Sequence, residues 1–151
     1  MARVILIDDV TADRRLAETL LEHAGHSVMQ SDDGQNGLEM IMTAVPDLVI
    51  TDLITPSIDG YALARSVRSN PKTASIPIMM VTAHYLEAEV RRLAAGIGIQ
   101  QVLIKPYEPQ AFLEAVAAAL SEKPTADQVR NADQYAPKEH GGTTQTVQSV
   151  T

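Results

Sequence analysis

Four apolar runs, each short and rich in β-branched residues, constrain this chain more than any other feature. Arg3-Val4-Ile5-Leu6-Ile7 runs into Asp8-Asp9, and Asp47-Leu48-Val49-Ile50-Thr51 runs into Asp52. Ile76 to Val81 runs into Thr82, and Gln101-Val102-Leu103-Ile104 runs into Lys105-Pro106. Runs of this kind alternating with helical patterns are the mark of a buried parallel sheet. Ligands of such a sheet sit beyond the carboxyl ends of the strands, where the connections diverge. Three carboxylates, one hydroxyl and one ammonium therefore converge on a single sheet edge.

The intervening segments read as helices. Thr11 or Ala12 opens one, with Leu16, Leu20, Leu21 and Ala24 on its inward stripe and Gly25 as its stop. A weak strand is expected near Ser27 to Gln30, then a helix marked by Leu38, Ile41 and Met42 that ends before Pro46. Ile54 to Gly60 reads as a loop, and Tyr61 to Ser69 as a helix with Leu63, Ala64 and Val67 inward. Leu86 to Ala95 forms another helix, closed by Gly96. Pro109 begins the last at a favoured first-turn position, with Phe112, Val116, Ala119 and Leu120 buried. Five strands and five helices with short connections imply right-handed βαβ units.

The patterned unit covers residues 1–121. From 122 to 151 the composition turns to Thr, Gln, Gly, Pro and mixed charge, a polar tail or linker with little to bury. Thr125-Ala126-Asp127-Gln128 matches a capping box, so one short helix is compatible with the tail. The net charge of -7 argues against direct nucleic-acid or anionic-membrane binding, which relies on clustered Lys and Arg. One Phe, four Tyr and no Trp leave little for stacking on bases. No run reaches the roughly 20 apolar residues of a membrane span. The N-terminus reads straight into a strand without a signal pattern. With no cysteine there is neither a disulfide framework nor a thiolate ligand, and a cytoplasmic location is expected.

Like charges within about 4–6 Å raise each other's pKa or require a counterion. Asp8, Asp9 and Asp52 staying ionised in one crevice thus imply a bound cation. All-oxygen ligands favour Mg²⁺, Mn²⁺ or Ca²⁺ over Zn²⁺, and Mg²⁺ pairs one or two carboxylates with waters and phosphate oxygens. Lys105 supplies a compact positive charge and Thr82 a hydroxyl donor. Together these parts suit Asp52 as a phosphoryl acceptor.

At these residues the chain resembles the receiver domain of bacterial two-component response regulators. The resemblance covers about Ala2 to Leu120. It rests on Asp8-Asp9, Asp52, Pro56 and Gly60 in the following loop, Thr82-Ala83, and Lys105-Pro106-Tyr107. It implies a doubly wound, flavodoxin-like (βα)5 fold with a five-stranded parallel sheet in order 2-1-3-4-5. It also implies phosphoryl transfer to Asp52 from a histidine kinase or histidine phosphotransfer protein. By position, Asp9 and Asp52 would ligate Mg²⁺ (or Mn²⁺) directly, Asp8 largely through water, and the Ile54 backbone carbonyl would complete the protein ligands. Lys105 would pair with the phosphoryl group and Thr82-Ala83 would switch toward it. The Lys105-Pro106 bond is expected to be cis. The output surface would lie around the fourth helix and fifth strand, serving a downstream partner or an output domain outside this chain. Dimerisation through that face is compatible with the pattern, though no residue compels it.

Four positions stand out against the family's usual pattern. Val102 stands where an aromatic rotamer switch is common, so an aromatic flip is not available to report the movement of Thr82. Met before the loop proline is common, and here the loop reads Ile54-Thr55-Pro56. Ile54 and His84 occupy the positions that tune dephosphorylation. An apolar side chain at 54 is expected to hinder the attacking water and prolong the phosphorylated state.

Blander readings stand beside these. Asp8 and Asp9 could cap the following helix, Arg91-Arg92 could be a solvated face, and Gly96-Ile97-Gly98 follows a helix and reads as its turn. Two alternative functions remain. One is a degenerate receiver acting as a phosphorylation-independent binding module. The other is a Mg²⁺-dependent phosphohydrolase, against which Leu53-Ile54 after Asp52 argues, because such enzymes carry a second Asp two residues on.

Overall fold

A computed structural model describes residues 1–83 and 87–122. Its elements are β1 (Arg3–Ile7), α1 (Thr11–His23), β2 (Ser27–Ser31), α2 (Gly34–Ala44), β3 (Leu48–Asp52), α3 (Gly60–Ser69), β4 (Ile78–Ala83), α4 (Glu87–Gly96), β5 (Gln101–Lys105) and α5 (Pro109–Leu120). The strands form one parallel sheet in the order β2-β1-β3-β4-β5, the doubly wound order expected. His84 and the proposed tail helix lie outside the described residues.

Period-2 alternation along the strands separates two cores. Ile5, Ile7, Val49, Ile78 and Met80 face one side and pack against Ile41 of α2, Leu63 and Val67 of α3, and Val90 and Ala94 of α4. Val4, Leu6, Leu48, Ile50 and Met79 face the other, against Ala17 and Leu21 of α1 and Phe112, Val116 and Ala119 of α5. Strands β1 and β3 are sandwiched between both layers, so their sequence reads as continuous rather than alternating apolar residues. Strand β4 starts later than the apolar run, at Ile78, after Pro77, which has no N–H for the ladder.

The inward stripe of α1 differs from the one expected. Leu16 is 44% exposed, Ala24 is also exposed, and the buried seam is Ala17 and Leu21 with Leu20 packed at its margin. The spacing 17, 20, 21 is itself a helical face, rotated so that Leu16 looks toward the carboxyl edge of the sheet. Asp33 and Asp59 cap α2 and α3, accepting from the amides of Asn36 and Ala62 at 2.9 and 2.7 Å. By contrast, α1 begins after Val10 with no side-chain cap, so capping by Asp8 or Asp9 is not what fixes those acids.

Arg68 closes the opposite edge. It is 1% exposed, and its guanidinium donates to the carbonyls of Ile97 at 2.7 Å, Ile76 at 2.6 Å and Ala74 at 3.1 Å. One side chain thereby joins α3, the approach to β4 and the turn after α4. Burial lowers its pKa to about 10, which leaves it charged at neutral pH.

Candidate functional site

Parallel registry sets the site. Ile7 lies opposite Thr51, so Asp8 and Asp52 leave neighbouring strands at the same level. Asp52 lies opposite Val81, and Ala83 opposite Lys105, which carries the same edge across β4 and β5. Each central carboxylate is anchored locally. Asp8 Oδ1 accepts from the Val10 amide at 2.9 Å, and Asp52 Oδ1 from the Ile54 amide at 3.2 Å, both two residues ahead as in an Asx turn. Their second oxygens are thereby aimed at the crevice.

Lys105 stands two strands from Asp52, roughly 10 Å of sheet at the usual strand spacing. Its four-carbon stem crosses β4 and places Nζ 2.8 Å from Asp52 Oδ2 and 2.9 Å from Asp8 Oδ2. A third carboxylate, Asp13 Oδ2, lies 2.7 Å away. An ammonium has three donors, and here each meets a carboxylate. Burial opposes the charge on Lys105, but the bonds to Asp13, Asp52 and Asp8 outweigh it and raise its pKa. Asp8 is 6% exposed and its pKa is raised, chiefly by burial, against the lowering effects of the Val10 amide and Lys105.

Carboxylate oxygens of Asp8, Asp9 and Asp52 lie within 4.8 Å of one another, with Asp9 on the solvent side. This is a hard, all-oxygen donor set of the kind that suits Mg²⁺. Thr82 is fully buried on β4, opposite Ile104, and its Oγ1 has no hydrogen-bond partner among the described residues. A buried hydroxyl left unpaired costs on the order of 1–3 kcal/mol, so Thr82 holds a donor in reserve at this edge.

The surroundings fix these groups. A Cβ at Gly60 would collide with the Asp52 carbonyl, and the Gly60 amide donates to Leu53 O at 2.6 Å. The start of α3 is thus pressed against the backbone of Asp52, which only glycine permits. The Lys105–Pro106 peptide is cis, and Tyr107 stacks on Phe112 with ring centroids 5.0 Å apart. Asp13, Leu16, Ala83, Lys105, Pro106 and Tyr107 line a cleft of about 290 Å³ beside the carboxylates. Ile54 is 58% exposed at the rim, and Val102 is buried in the core shared with Val90 and Ala94 of α4.

Asp8, Asp9, Asp52 and Lys105 therefore meet in one crevice, with Thr82 buried on the strand between Asp52 and Lys105. Asp13 joins them without having been expected from the sequence. Its position one turn into α1, beyond the acidic pair, was the available signal, but acids in a first helical turn usually serve only the helix dipole.

The family model of the response regulator receiver domain matches residues 4–117. The chain is 33% identical over 121 residues to the DNA-binding dual master transcriptional regulator RpaA of Synechocystis sp., covering 80% of this chain and 49% of RpaA. It is 26% identical over 121 residues to protein PilH of Pseudomonas aeruginosa, covering 80% of this chain and 99% of PilH. Chemotaxis response regulator CheY4 of Vibrio cholerae superposes with a TM-score of 0.73 at 26% identity, covering 79% of this chain and 98% of CheY4. The chain thus spans about half the length of RpaA and nearly all of PilH. A match of this extent, on a sheet wound in this order, makes the chain a member of the response regulator receiver domain family of two-component signalling.

Proposed function

We propose that Asp52 is a phosphoacceptor, taking its phosphoryl group from a phosphohistidine on a histidine kinase or phosphotransfer protein. The observation that carries this reading is Lys105 Nζ bonded at once to Asp52 and Asp8, with Asp9 completing the acidic cluster. A carboxylate oxygen of Asp52 attacks phosphorus, the P–N bond breaks, and its electron pair returns to the donor imidazole, which takes up a proton. The product is an acyl phosphate on Asp52. Asp9, Asp52 and the Ile54 carbonyl would hold Mg²⁺ (or Mn²⁺), with Asp8 acting mainly through water. When bound, that cation would offset the charge on the transferring group. Lys105 pairs with a phosphoryl oxygen, and the buried Thr82 hydroxyl gains the partner it lacks, with Ala83 moving beside it.

Residues 1–121 are the receiver in this reading, and residues 122–151 a tail leading to a partner or an output domain. Local charge change at Asp52 biases a two-state surface around α4 and β5. Val102 is packed into that region's core, so the shift is transmitted by backbone and helix position rather than by an aromatic flip. Ile54 at the rim, with His84, tunes the lifetime of the acyl phosphate by limiting access of water. Among the described residues no helix is long and apolar enough to cross a membrane.

The test is incubation with Mg²⁺ and radiolabelled acetyl phosphate, or binding of beryllofluoride followed by ¹⁹F resonance. Saturable labelling that Asp52→Asn abolishes is expected. No labelling would favour the phosphorylation-independent module, and rapid continuous turnover the phosphohydrolase.

A further inference from the structure

We infer that Asp13 is a positioning residue that restrains Lys105 and weakens the hold of this pocket on a phosphoryl group. The inference rests on the reading of Asp52 as the phosphoacceptor and names a control on that same site. Of the three carboxylates on Nζ, Asp13 makes the shortest contact, 2.7 Å, and the two that also belong to the divalent-ion cluster lie at 2.9 and 2.8 Å. Asp13 stands outside that cluster, on the first turn of α1, and faces Lys105 from across the cleft.

Two consequences follow from this placement. A phosphoryl oxygen on Asp52 needs a donor from Lys105, and with all three donors engaged one carboxylate must yield. Asp13 also adds a negative charge one lysine headgroup away from a dianionic ligand, and like charges at such range repel. Its side chain is 40% exposed against 18% for Lys105, so Asp13 retains access to water if the pair breaks. Releasing Lys105 from Asp13 therefore costs less than releasing it from buried Asp8. The order of exchange is set: Asp13 gives way first. Because Asp8 and Asp52 still hold the ammonium, removing Asp13 loosens Lys105 without losing it.

The test uses the full chain and four proteins: the unaltered chain, Asp13→Asn, Asp13→Glu and Asp52→Asn. Beryllofluoride is titrated by ¹⁹F resonance at saturating Mg²⁺, and Mg²⁺ alone is titrated by calorimetry. Asp13→Asn is expected to bind beryllofluoride about three- to ten-fold more tightly, the range for one unit charge at this distance in a half-wet site. Its affinity for Mg²⁺ alone should stay within twofold, and Asp13→Glu, which keeps the charge, should return beryllofluoride binding toward the unaltered value. Unchanged or weaker beryllofluoride binding in Asp13→Asn overturns the inference. So does an equal gain for Mg²⁺ alone, which would make Asp13 part of the metal site. If the unaltered chain and Asp52→Asn behave alike toward beryllofluoride, the phosphoacceptor reading itself falls, and this inference with it.

Discussion

At the scale of single residues, burial and shared charge pull Asp8 in opposite directions. Burial raises its pKa, so the ionised side chain is a cost to the fold at neutral pH, despite Lys105. A raised carboxyl pKa contributes stability when protonated, below the unfolded value near 4, and that contribution is lost as pH rises through the folded value. Asp8→Asn is uncharged at every pH and keeps an acceptor for the Val10 amide. Without added cation it should melt higher than the unaltered chain at pH 7, and the advantage should vanish by about pH 4. On the proposed reading Asp8 acts on Mg²⁺ through water, and losing an outer-shell partner of that kind typically costs 10- to 100-fold in affinity. Calorimetric titration with Mg²⁺ measures that loss. A variant that gains stability and keeps full Mg²⁺ affinity would remove Asp8 from the site.

Tyr107 offers a second titration. Burial first, and the nearby Asp13 carboxylate next, raise its phenol to about 12. A raised phenol stabilises the fold fully below about 10 and loses that contribution as pH climbs through about 12. Tyr107→Phe keeps the stack on Phe112 and has nothing to ionise. Relative to it, the unaltered chain should lose stability between about pH 10 and 12, seen as diverging thermal midpoints. The ultraviolet difference spectrum of tyrosinate should lose its most alkaline step in the variant. Parallel midpoints across that range would mean the phenol is not held neutral by the fold.

At the scale of elements, Gly60 shows how a loop and a strand are made to agree. Its missing Cβ lets the first turn of α3 lie against the Asp52 carbonyl. Gly60→Ala forces either that turn or the strand end to move, and overpacking of this kind typically costs about 1–3 kcal/mol. A shift at Asp52 should also lower labelling by acetyl phosphate more than the stability loss explains, at a temperature where the variant is fully folded. Normal labelling in a folded Gly60→Ala would show that the loop, not the strand, absorbs the strain. The sequence already marked Gly60 as part of the loop, and strand ends, helix order and the meeting of Asp8, Asp9, Asp52 and Lys105 were legible too. Each of these is fixed by local periodicity plus the rule that parallel strands deliver their carboxyl ends to one edge. The seam of α1 was not legible, because Leu16 and Ala17 are equally good apolar candidates and only packing against β1 decides between them. Asp13 was missed for a related reason: its role depends on a lysine 92 residues away.

At the scale of the molecule, chemistry and cohesion occupy opposite edges of one sheet. The acids and Lys105 gather at the carboxyl ends of the strands, whereas Arg68 ties α3, the approach to β4 and the turn after α4 at the amino ends. Its partners are backbone carbonyls, which would be left without donors if the guanidinium were removed. Each buried carbonyl left without its donor costs about 1–3 kcal/mol, a large share of the 5–15 kcal/mol typical of a domain. Arg68→Met fills much of the volume and supplies none of the donors. It should lower the free energy of unfolding, read from urea titrations, by at least that amount while leaving beryllofluoride affinity, measured well below the melting temperature, within about twofold. A ligand that binds only the folded state stabilises by an amount set by its own affinity and concentration. Mg²⁺ with beryllofluoride at 100 times its dissociation constant should therefore add about 2.7 kcal/mol to both proteins, in parallel. If the increment shrinks in Arg68→Met, the two edges are coupled through α3 and α4, and Arg68 belongs to the signalling apparatus as well as to the scaffold.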